Sequence, residues 1–373
     1  MIVGIPKEQF NEEKRVALAP AGVDALTRKG HTIYVQSRAG EGSHFNDEDY
    51  EKTGAKIVYT ADEIFGRAEL VLKVSQINDA ELELFRENQI LFSFLHLAVG
   101  KKHTIEKLMQ KKVTAIGYDL VENNNRLPVL QAMSEIAGPL SIQIASRYLE
   151  SYPRHGRGIL LGGITGVAPA AVVVLGAGVV GTNAARAALG IGAQVIVIDK
   201  DLNRLHKIDE HFMQNITTVV ANPYTIERGV KFADVLIGAV LMKGEKTPHL
   251  VTEDMVRQMK PGAVIIDVSI DQGGCIETSR LTTLSDPVFE KYNIIHYCVP
   301  NMPALVARTA SYGLTNASLP YIQDITDNGL ANALLGDEGL ANGVCTYNGF
   351  CSNEQIANIF NVEYRKLRIF STN

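Results

Sequence analysis

Short apolar runs alternate with longer amphipathic stretches from the first residue of the chain. Apolar runs that are continuous or recur at every second position predict strands, and apolar positions three and four residues apart predict helices. In the N-terminal part this predicts strands over residues 2–5, 32–36, 71–74, 90–97 and 113–118, helices over residues 20–29 and 104–111, and a helix start near Asn46. The run 90–95 hardly alternates, so we expect that strand to be buried on both faces.

A second and more regular set of repeats begins at Ala171. It predicts strands over residues 171–175, 194–198, 235–238, 263–268 and 294–297, with helical stretches such as residues 182–189 between them. Before it, residues 133–148 predict a helix capped by Ser134. The tail after Thr315 has a helical pattern and is too short for a third domain, so we expect it to pack on the N-terminal part. Strand and helix units in this order are typical of α/β proteins with mostly parallel sheets.

Composition and charge narrow the function classes. The 373 residues are 46% hydrophobic, which suits about two domains with cores of their own. The formal net charge of −5 argues against a nucleic-acid partner or an anionic membrane surface, because both favour a basic face. No run approaches the roughly 18 apolar residues of a spanning helix, and the first residues lack the features of a signal peptide, so we expect a cytoplasmic protein with no membrane partner.

The four cysteines have no C-x-x-C spacing and are expected to be reduced thiols, with no metal site among them. They are Cys275, Cys298, Cys345 and Cys351.

A glycine motif stands between a predicted strand and a predicted helix. Gly176, Gly178 and Gly181 form a G-x-G-x-x-G pattern directly after the apolar run 171–175, with Val180 inside it. The first glycine allows a tight turn, the second allows the backbone to approach a pyrophosphate, and the third allows the helix to pack against the strand. The N–H groups at the start of the helix then face the anion.

A carboxylate follows the next predicted strand at the distance that this motif requires. Asp199 comes directly after the run 194–198, 21 residues after Gly178, where it can accept hydrogen bonds from the ribose of an adenosine. Strand, helix and acid in this order predict a dinucleotide site, and the alternative is a glycine-rich turn without a ligand. Asp199 would repel a 2′-phosphate, which favours NAD over NADP, while Lys200 and Arg204 lie close enough to weaken that preference.

Two residues suit the binding and activation of an acid substrate. Arg15 follows the first predicted strand, and its guanidinium can bind a carboxylate through two parallel hydrogen bonds; the alternative is a charge in solvent. His96 ends a buried strand, and ligands of open α/β sheets bind beyond the carboxyl ends of strands. Its imidazole can polarise a carbonyl or transfer a proton near neutral pH, and the alternative is a histidine satisfied within the core.

Asp271 and Lys73 are the other candidates. Asp271 follows the predicted strand 263–268 in a similar position, although an aspartate there can simply form a turn. Lys73 is flanked by apolar residues, and strand periodicity puts it on one face with Ser75. The alternative for Lys73 is a lysine on an edge strand whose ammonium extends to solvent.

Several stretches of the chain together resemble a known family, that of the alanine dehydrogenases and the nicotinamide nucleotide transhydrogenases. They are residues 4–8, 15–17, 20–23, 94–98, 133–138, 267–275, 301–303 and 314–317, together with the glycine motif. The resemblance spans nearly the whole chain. The segments around His96 and Asp271 are specific to the dehydrogenase branch, whereas the transhydrogenase branch is similar mainly in the nucleotide half.

The resemblance implies a fold and an activity. The expected subunit is an α/β protein with two Rossmann-like, doubly wound parallel-sheet domains and a cleft between them. Residues 1–130 and 305–373 are expected to form a discontinuous catalytic domain that binds substrate, and residues 131–304 an NAD-binding domain. The implied activity is NAD-dependent, reversible oxidative deamination of L-alanine to pyruvate and ammonium by a homo-oligomer, most often a hexamer.

The resemblance also implies roles for single residues. Arg15 would bind the substrate carboxylate, His96 would polarise the keto oxygen, and Asp271 would handle protons during ammonia addition and loss of water. The cofactor site would include the glycine motif and, further along the chain, Ser134, Asp199, Arg204, Leu241 and Asn301.

One departure from the family pattern concerns the substrate end. Alanine dehydrogenases usually carry a second lysine, a ligand of the substrate carboxylate, where this chain has Ser75. A neutral hydrogen bond contributes about 1 kcal/mol and one to a charged partner roughly 1.5 to 3, so the change would weaken binding roughly five- to thirtyfold. Lys73, two residues earlier on the same predicted face, is the candidate that could replace the missing charge.

Other functions stay open from the sequence. Ser75 would also suit a dehydrogenase of a related small 2-amino or 2-oxo acid. The nucleotide half alone would suit a transhydrogenase-like NAD-binding module, or a degenerate enzyme that binds NAD without amination chemistry. The presence of His96 and Asp271 favours the dehydrogenase.

Overall fold

The computed structural model describes residues 1–10, 12–124, 126–152, 155–241 and 247–368. The chain divides into two compact units: unit 1 comprises Met1–Met133 and Ala304–Asn373, and unit 2 comprises Ser134–Pro303. The boundaries predicted from the sequence lie after residues 130 and 304. Each unit is built on its own mainly parallel sheet, which confirms the predicted α/β fold class.

The N-terminal part of unit 1 alternates strands and helices. Its strands β1 to β6 are Ile2–Ile5, Thr32–Gln36, Lys56–Val58, Leu70–Leu72, Ile90–Ser93 and Thr114–Gly117. Its helices α1 to α5 are Pro20–Thr27, Asp47–Glu51, Ala61–Arg67, Asp79–Leu84 and Lys102–Gln110. Helices α2, α3 and α4 each begin with a capping box, with Asn46, Thr60 and Asn78 as the respective caps, which satisfies backbone N–H groups that a helix start otherwise leaves unpaired.

Helix α6 (Pro128–Tyr148) leads from unit 1 into unit 2. The strands β7 to β13 of unit 2 are Ala171–Leu175, Gln194–Asp199, Thr217–Val220, Val235–Gly238, Val264–Asp267, Val288–Lys291 and Ile294–Tyr297. Its helices α7 to α10 are Val179–Ile191, Leu202–His211, Pro223–Phe232 and Glu253–Arg257.

The C-terminal part returns to unit 1. It contains helices α11 to α14, which are Ala307–Asn328, Leu330–Gly336, Glu338–Asn342 and Glu354–Phe360, and strands β14 and β15, which are Val344–Tyr347 and Phe350–Cys351. The expectation of a helical tail is therefore wrong at the β14–β15 hairpin. Strand β14 pairs antiparallel with β6, so the tail adds two strands to the sheet of unit 1.

Both sheets reverse their strand order at one point. Unit 1 has the order β15-β14-β6-β5-β4-β1-β2-β3, and unit 2 has the order β12-β13-β11-β10-β7-β8-β9. In each, the chain builds outward from its first strand and then returns to add strands on the other side, so the reversals lie between β1 and β4 and between β7 and β10. Ligands of open α/β sheets bind at the carboxyl ends of the strands around such a switch point.

The central strands are buried on both faces. Every residue of β4, β5, β10 and β11 is buried, as parallel strands covered by helices require. This confirms the expectation for the unalternating run after Ile90. In the described part of the chain, no helix is both long enough and apolar enough to cross a bilayer.

Two predicted elements differ from the structure by four or more residues at one end. The strand expected over residues 90–97 stops at Ser93, because His96 adopts a left-handed backbone with φ of 43° and Leu97–Val99 forms a short 3-10 helix. The helix expected from residue 133 starts at Pro128, since proline suits the first turn of a helix. Ser134 therefore lies in the second turn of α6, and its predicted role as the helix cap is wrong.

Candidate active site

The glycine loop of unit 2 has geometry that only glycine allows. Gly176 has φ of +105°, and a Cβ at that position would lie 2.4 Å from the carbonyl oxygen of Ala239, at the end of the neighbouring strand β10. A Cβ at Gly181 would lie 1.8 Å from the carbonyl oxygen of Gly176. The loop and the start of helix α7 are thus packed as closely as backbone atoms permit.

Gly178 differs from these two glycines. A Cβ built there meets no heavy atom within 4 Å, so nothing in the described chain requires a glycine at this position. Gly178 is also the N-cap of α7 and supplies no side chain to the helix start, and the first N–H groups of a helix need a partner. An open surface at the N-terminus of a helix fits the pyrophosphate of a dinucleotide.

Asp199 ends strand β8 next to this loop. Its side chain is 7% exposed, with Oδ2 accepting from the backbone N–H of Ala177 at 2.6 Å and Oδ1 from that of Asp201 at 2.8 Å. Arg204 lies 3.9 Å from the same carboxylate and is largely exposed. A carboxylate oxygen can accept more than one hydrogen bond, so the pair retains capacity for the hydroxyls of a ribose.

Asp271 and Asn301 come together beyond the ends of two strands. Asp271 lies in the 3-10 helix Val268–Gln272 after β11, and the backbone N–H of Asn301 donates to its Oδ1 at 3.3 Å. Asn301 adopts a left-handed backbone with φ of 55°. Both side chains are half-buried, so they line the same carboxyl edge of the sheet as the glycine loop.

Asp267 holds the loop that carries Asp271. It is 1% exposed and accepts hydrogen bonds from Ser269 N at 3.1 Å, Cys275 N at 3.1 Å and Ser279 Oγ at 2.7 Å. Burial raises the pKa of Asp267, and the hydrogen bonds from Ser279 and Cys275 act against that rise. Asp267 was not predicted as a functional residue, although it lies within the predicted strand 263–268, four positions before Asp271.

For the remaining cofactor candidates we describe position and burial. Ser134 is half-buried in helix α6, Val180 is half-buried in the first turn of α7, and Leu241 follows β10 with 52% of its surface exposed. Residues 242–246, next to Leu241, lie outside the described residues.

In unit 1, Arg15 is buried against a glutamate. The residue is 2% exposed, and its Nε and one terminal nitrogen donate to the two carboxylate oxygens of Glu13 at 2.8 and 2.6 Å. The other terminal nitrogen lies 3.3 Å from the sulfur of Met133. The alternative of an arginine in solvent is therefore wrong, since the guanidinium is held in a fixed plane within the unit.

Lys73 and Ser75 meet at one carboxylate. Strand β4 ends at Leu72, so the two are not in a regular strand, yet Lys73 Nζ donates to Glu8 Oε2 at 2.9 Å and Ser75 Oγ donates to the same oxygen. Lys73 Nζ also donates to Glu81 Oε1 at 2.7 Å. Because Lys73 has no exposed surface and β4 lies between β1 and β5, the alternative of an edge-strand lysine is wrong.

Glu8 and Glu81 stabilise the charged form of Lys73. Burial by itself lowers the pKa of a lysine, but the charges and hydrogen bonds of Glu8 and Glu81 outweigh it and raise the pKa of Lys73 above its ordinary value. The group of three side chains carries two negative charges against one positive charge.

His96 stands at the end of β5. Its ring stacks on Phe94 with centroids 5.8 Å apart, and its Nδ1 lies 3.6 Å from Asp119 Oδ2. The histidine side chain is 21% exposed, so it is neither a fully buried core residue nor a surface one. The contacts that the structure gives Arg15, Lys73 and His96 thus go to different carboxylates.

Sequence reasoning missed these carboxylates. Glu8 lies within residues 4–8, which resemble the family, and Asp119 directly follows the predicted strand 113–118, so the position of each gave a signal. Glu81 accepts from Lys73 while also closing the capping box of α4 with Asn78. No local sequence pattern indicates that Glu81 pairs with Lys73.

Sequence comparison places both parts of the chain in one family. Residues 4–137 match the profile of the alanine dehydrogenase/PNT N-terminal domain, and residues 141–354 match that of the alanine dehydrogenase/PNT C-terminal domain.

Individual relatives agree with the profiles. The alanine dehydrogenase of Methanococcus maripaludis is 47% identical over 366 residues, which cover 98% of each chain. A solved structure of an L-alanine dehydrogenase has 43% identity and a TM-score of 0.91, with 97% of this chain and 99% of that chain covered. A transhydrogenase structure from Sinorhizobium meliloti, at 24% identity and a TM-score of 0.81, covers 94% of this chain and 100% of that one and shares the fold. The chain therefore belongs to the alanine dehydrogenase/PNT family.

Proposed function

We propose that this protein catalyses the NAD-dependent, reversible oxidative deamination of L-alanine to pyruvate and ammonium. The observation that carries the proposal is that one chain has an open glycine loop at the switch point of unit 2 and a buried guanidinium fixed by Glu13 in unit 1. The first suits a dinucleotide and the second a small carboxylate. The long matches to proteins named alanine dehydrogenases support the choice of substrate.

In this proposal unit 2 binds the cofactor. The backbone of Gly176, Gly178, Val180 and Gly181 receives the pyrophosphate, and Asp199 receives the ribose. The other cofactor contacts are assigned to Ser134, Arg204, Leu241 and Asn301. NAD, when bound, supplies the hydride acceptor of the oxidation and the hydride donor of the amination. NAD rather than NADP is favoured because a 2′-phosphate would face the carboxylate of Asp199.

Unit 1 binds the substrate in this proposal. Arg15 receives the substrate carboxylate, and Glu13 keeps its guanidinium in one plane. Lys73 has three N–H donors, of which two go to Glu8 and Glu81, and we assign the third to the substrate carboxylate. Ser75 acts at the same end through Glu8.

Two residues handle protons. In the amination direction, His96 polarises the keto oxygen of pyruvate while ammonia adds to the carbonyl carbon, which gives a carbinolamine. Asp271 then assists the loss of water that gives the imine. In the oxidative direction the same two residues act in the reverse order. No metal ion is assigned a role.

The biological setting follows the family in this proposal. Residues 1–130 and 305–373 act as the catalytic domain and residues 131–304 as the NAD-binding domain. The enzyme is cytoplasmic and works as a homo-oligomer, most often a hexamer, and its partners are its small substrates rather than nucleic acid or membrane.

A glycine variant tests the cofactor part. Gly178→Ala adds a methyl group where the protein leaves open space, so we expect unchanged folding and NADH binding weakened roughly tenfold or more, a loss of about 1.4 kcal/mol or more. Gly190→Ala is a matched control on helix α7, because its Cβ also meets no atom within 4 Å. Fluorescence titration with NADH would overturn the assignment if both variants bound as tightly as the wild type.

One absorbance assay tests the reaction. Purified protein is mixed with NADH, pyruvate and ammonium, and we expect NADH to be consumed only when both substrates are present. Consumption without ammonium would instead indicate simple reduction of a keto acid. No consumption, with NADH binding intact, would favour a binding module or a degenerate enzyme.

Ser75 supports a second candidate within the same class. Its hydroxyl is directed to Glu8, so this position brings no positive charge to a substrate carboxylate, and a dehydrogenase for a related small 2-oxo acid is the alternative. Comparing kcat/KM for pyruvate, glyoxylate and 2-oxobutyrate separates the two, because the proposal expects pyruvate to have the highest value.

A further inference from the structure

His96 has a carboxylate neighbour that the mechanism has not used. Nδ1 of His96 lies 3.6 Å from Oδ2 of Asp119, and the two side chains are 21% and 15% exposed. The backbone of His96 is left-handed, with φ of 43°, a conformation that non-glycine residues adopt at a cost. The ring is also stacked nearly parallel to Phe94, at an angle of 10°. The ring of His96 thus has an aromatic neighbour at its face and a carboxylate neighbour at Nδ1.

Asp119 is itself held at the end of the neighbouring strand. Just before it, the N–H of Tyr118 donates to the carbonyl oxygen of Ser93 at 2.9 Å, and the N–H of Gly117 donates to that of Gly343 at 2.8 Å. A Cβ at position 117 would come within 3.0 Å of Asp119 Oδ1. The glycine therefore leaves the space that the carboxylate occupies.

The carboxylate has few other partners. Oδ1 of Asp119 is buried and has no hydrogen-bond partner among the residues that the structure describes. Asp119 also affects the buried thiol of Cys345. The pKa of this thiol is raised well above its ordinary value, mainly by burial and further by the charge of Asp119. Among the described residues, His96 is the basic residue that lies within ion-pair distance of Asp119.

A carboxylate beside one ring nitrogen decides which tautomer a neutral imidazole adopts. The nitrogen next to the carboxylate carries the proton and donates it, and the other nitrogen is left to exchange protons with a ligand. We propose that Asp119 is a positioning residue that keeps the proton of His96 on Nδ1, so that Nε2 is the nitrogen that acts on the substrate. This inference rests on the proposed function, because it deepens the role given to His96.

The proton balance of the step is then defined. In amination, the nitrogen of ammonia forms a bond to the carbonyl carbon, the π pair moves to the oxygen, and the oxygen takes the Nε2 proton of the imidazolium. The imidazole that remains keeps its Nδ1 proton towards Asp119. In the oxidative direction, Nε2 takes the hydroxyl proton of the carbinolamine back.

The test combines kinetics with a spectrum of His96. Asp119→Asn is expected to lower kcat for amination by about 10² to 10⁴-fold, the range seen when a histidine loses its orienting carboxylate or its proton-transfer role, with KM for NADH unchanged. Asp119→Glu restores a carboxylate and is expected to recover part of kcat. Asp79→Asn is the control, because Asp79 pairs with Lys101 at 3.5 Å on the exposed surface, and it should leave kcat unchanged.

The spectrum separates positioning from a merely structural role. Nitrogen-15 NMR of histidine-labelled protein, with His96 assigned by its absence in His96→Gln, should show the neutral ring protonated at Nδ1 in the wild type and a shift towards Nε2 protonation in Asp119→Asn. Protonation at Nε2 in an active wild type would overturn the inference and leave the proposed function standing. A wild type that has the Nδ1 proton but does not consume NADH with pyruvate and ammonium would overturn the proposed function and the role of Asp119 in it.

Discussion

The two units reverse their strand order in the same way but have different chemistry at their switch points. In unit 2 the loop between β7 and α7 is built from backbone, with Gly176 and Gly181 packed against carbonyl oxygens and Gly178 open. In unit 1 the corresponding strand ends carry charged side chains, with Lys73 buried between two glutamates. One arrangement leaves the start of a helix open, and the other holds charged side chains in fixed positions.

The difference has a consequence for stability. A site made of backbone N–H groups needs glycines, which leave space for a ligand. Its energetic cost is the conformational entropy that these glycines lose on folding. A site made of buried charges is stable only when every charge is paired, because an unpaired buried charge strongly destabilises a fold. We therefore expect substitutions at the charged site of unit 1 to destabilise the protein more than loss of a single hydrogen bond in unit 2.

The largest expected effect is that of Lys73→Met. The change leaves Glu8 and Glu81 buried without their common cation, so the free energy of unfolding should fall by about 3 to 5 kcal/mol. Lys112→Met is the control, because its pair with Glu87 is exposed on both sides and should contribute about 0 to 1 kcal/mol. Urea unfolding measures both, and equal small losses would contradict the comparison.

One buried histidine of unit 2 is expected to make the protein less stable at acidic pH. His296 has no exposed surface, and burial lowers its pKa to about 4. The unfolded state binds a proton near pH 6.5, so this group adds no pH dependence above about pH 6.5, and stability falls as the pH drops from there towards 4 by up to about 3 kcal/mol.

The matched variant for this pH effect is His296→Gln. It removes the titrating ring, so its unfolding free energy should depend less on pH between 6.5 and 4 than that of the wild type. Urea titrations at several pH values within that window measure the difference. Parallel pH profiles for the two proteins would show that another group is responsible.

A smaller effect is expected from one donor to Asp267. Ser279→Ala removes a 2.7 Å hydrogen bond to its buried carboxylate, which should cost about 1 to 3 kcal/mol. Ser285→Ala, on an exposed part of the chain, is expected to stay within about 0.5 kcal/mol of the wild type. If the two serine variants unfold at the same urea concentration, the hydrogen bonds to Asp267 do not stabilise the loop of Asp271.

Sequence patterns predicted unit 2 more completely than unit 1. The glycine motif, the strand before it and Asp199 are close in the chain, so their spacing alone defined their geometry. Glu13, Glu8 and Asp119 become partners of Arg15, Lys73 and His96 through side-chain contacts, and two of these pairs join residues far apart in sequence. Periodicity shows which face a residue occupies, but it does not show which charge it meets.

The missed hairpin of the tail had a readable signal. Asn348 and Gly349 connect β14 to β15, and both have positive φ, at 46° and 87°. An Asn-Gly pair between short apolar runs is the strongest local indication of a two-residue hairpin turn. The helical pattern around this pair still led to a helical prediction for the tail, because the two strands are only four and two residues long.

The central proposal is that His96 of unit 1 and Asp271 of unit 2 serve one reaction. The most direct measurement is kcat/KM for pyruvate amination in His96→Ala, Asp271→Asn and the double variant, with NADH binding checked in each. We expect each single change to lower kcat/KM by about 10² to 10⁴-fold, and the double variant to be about as slow as the slower single one, because groups that act as a unit are not additive. Wild-type turnover in either single variant would contradict the claim.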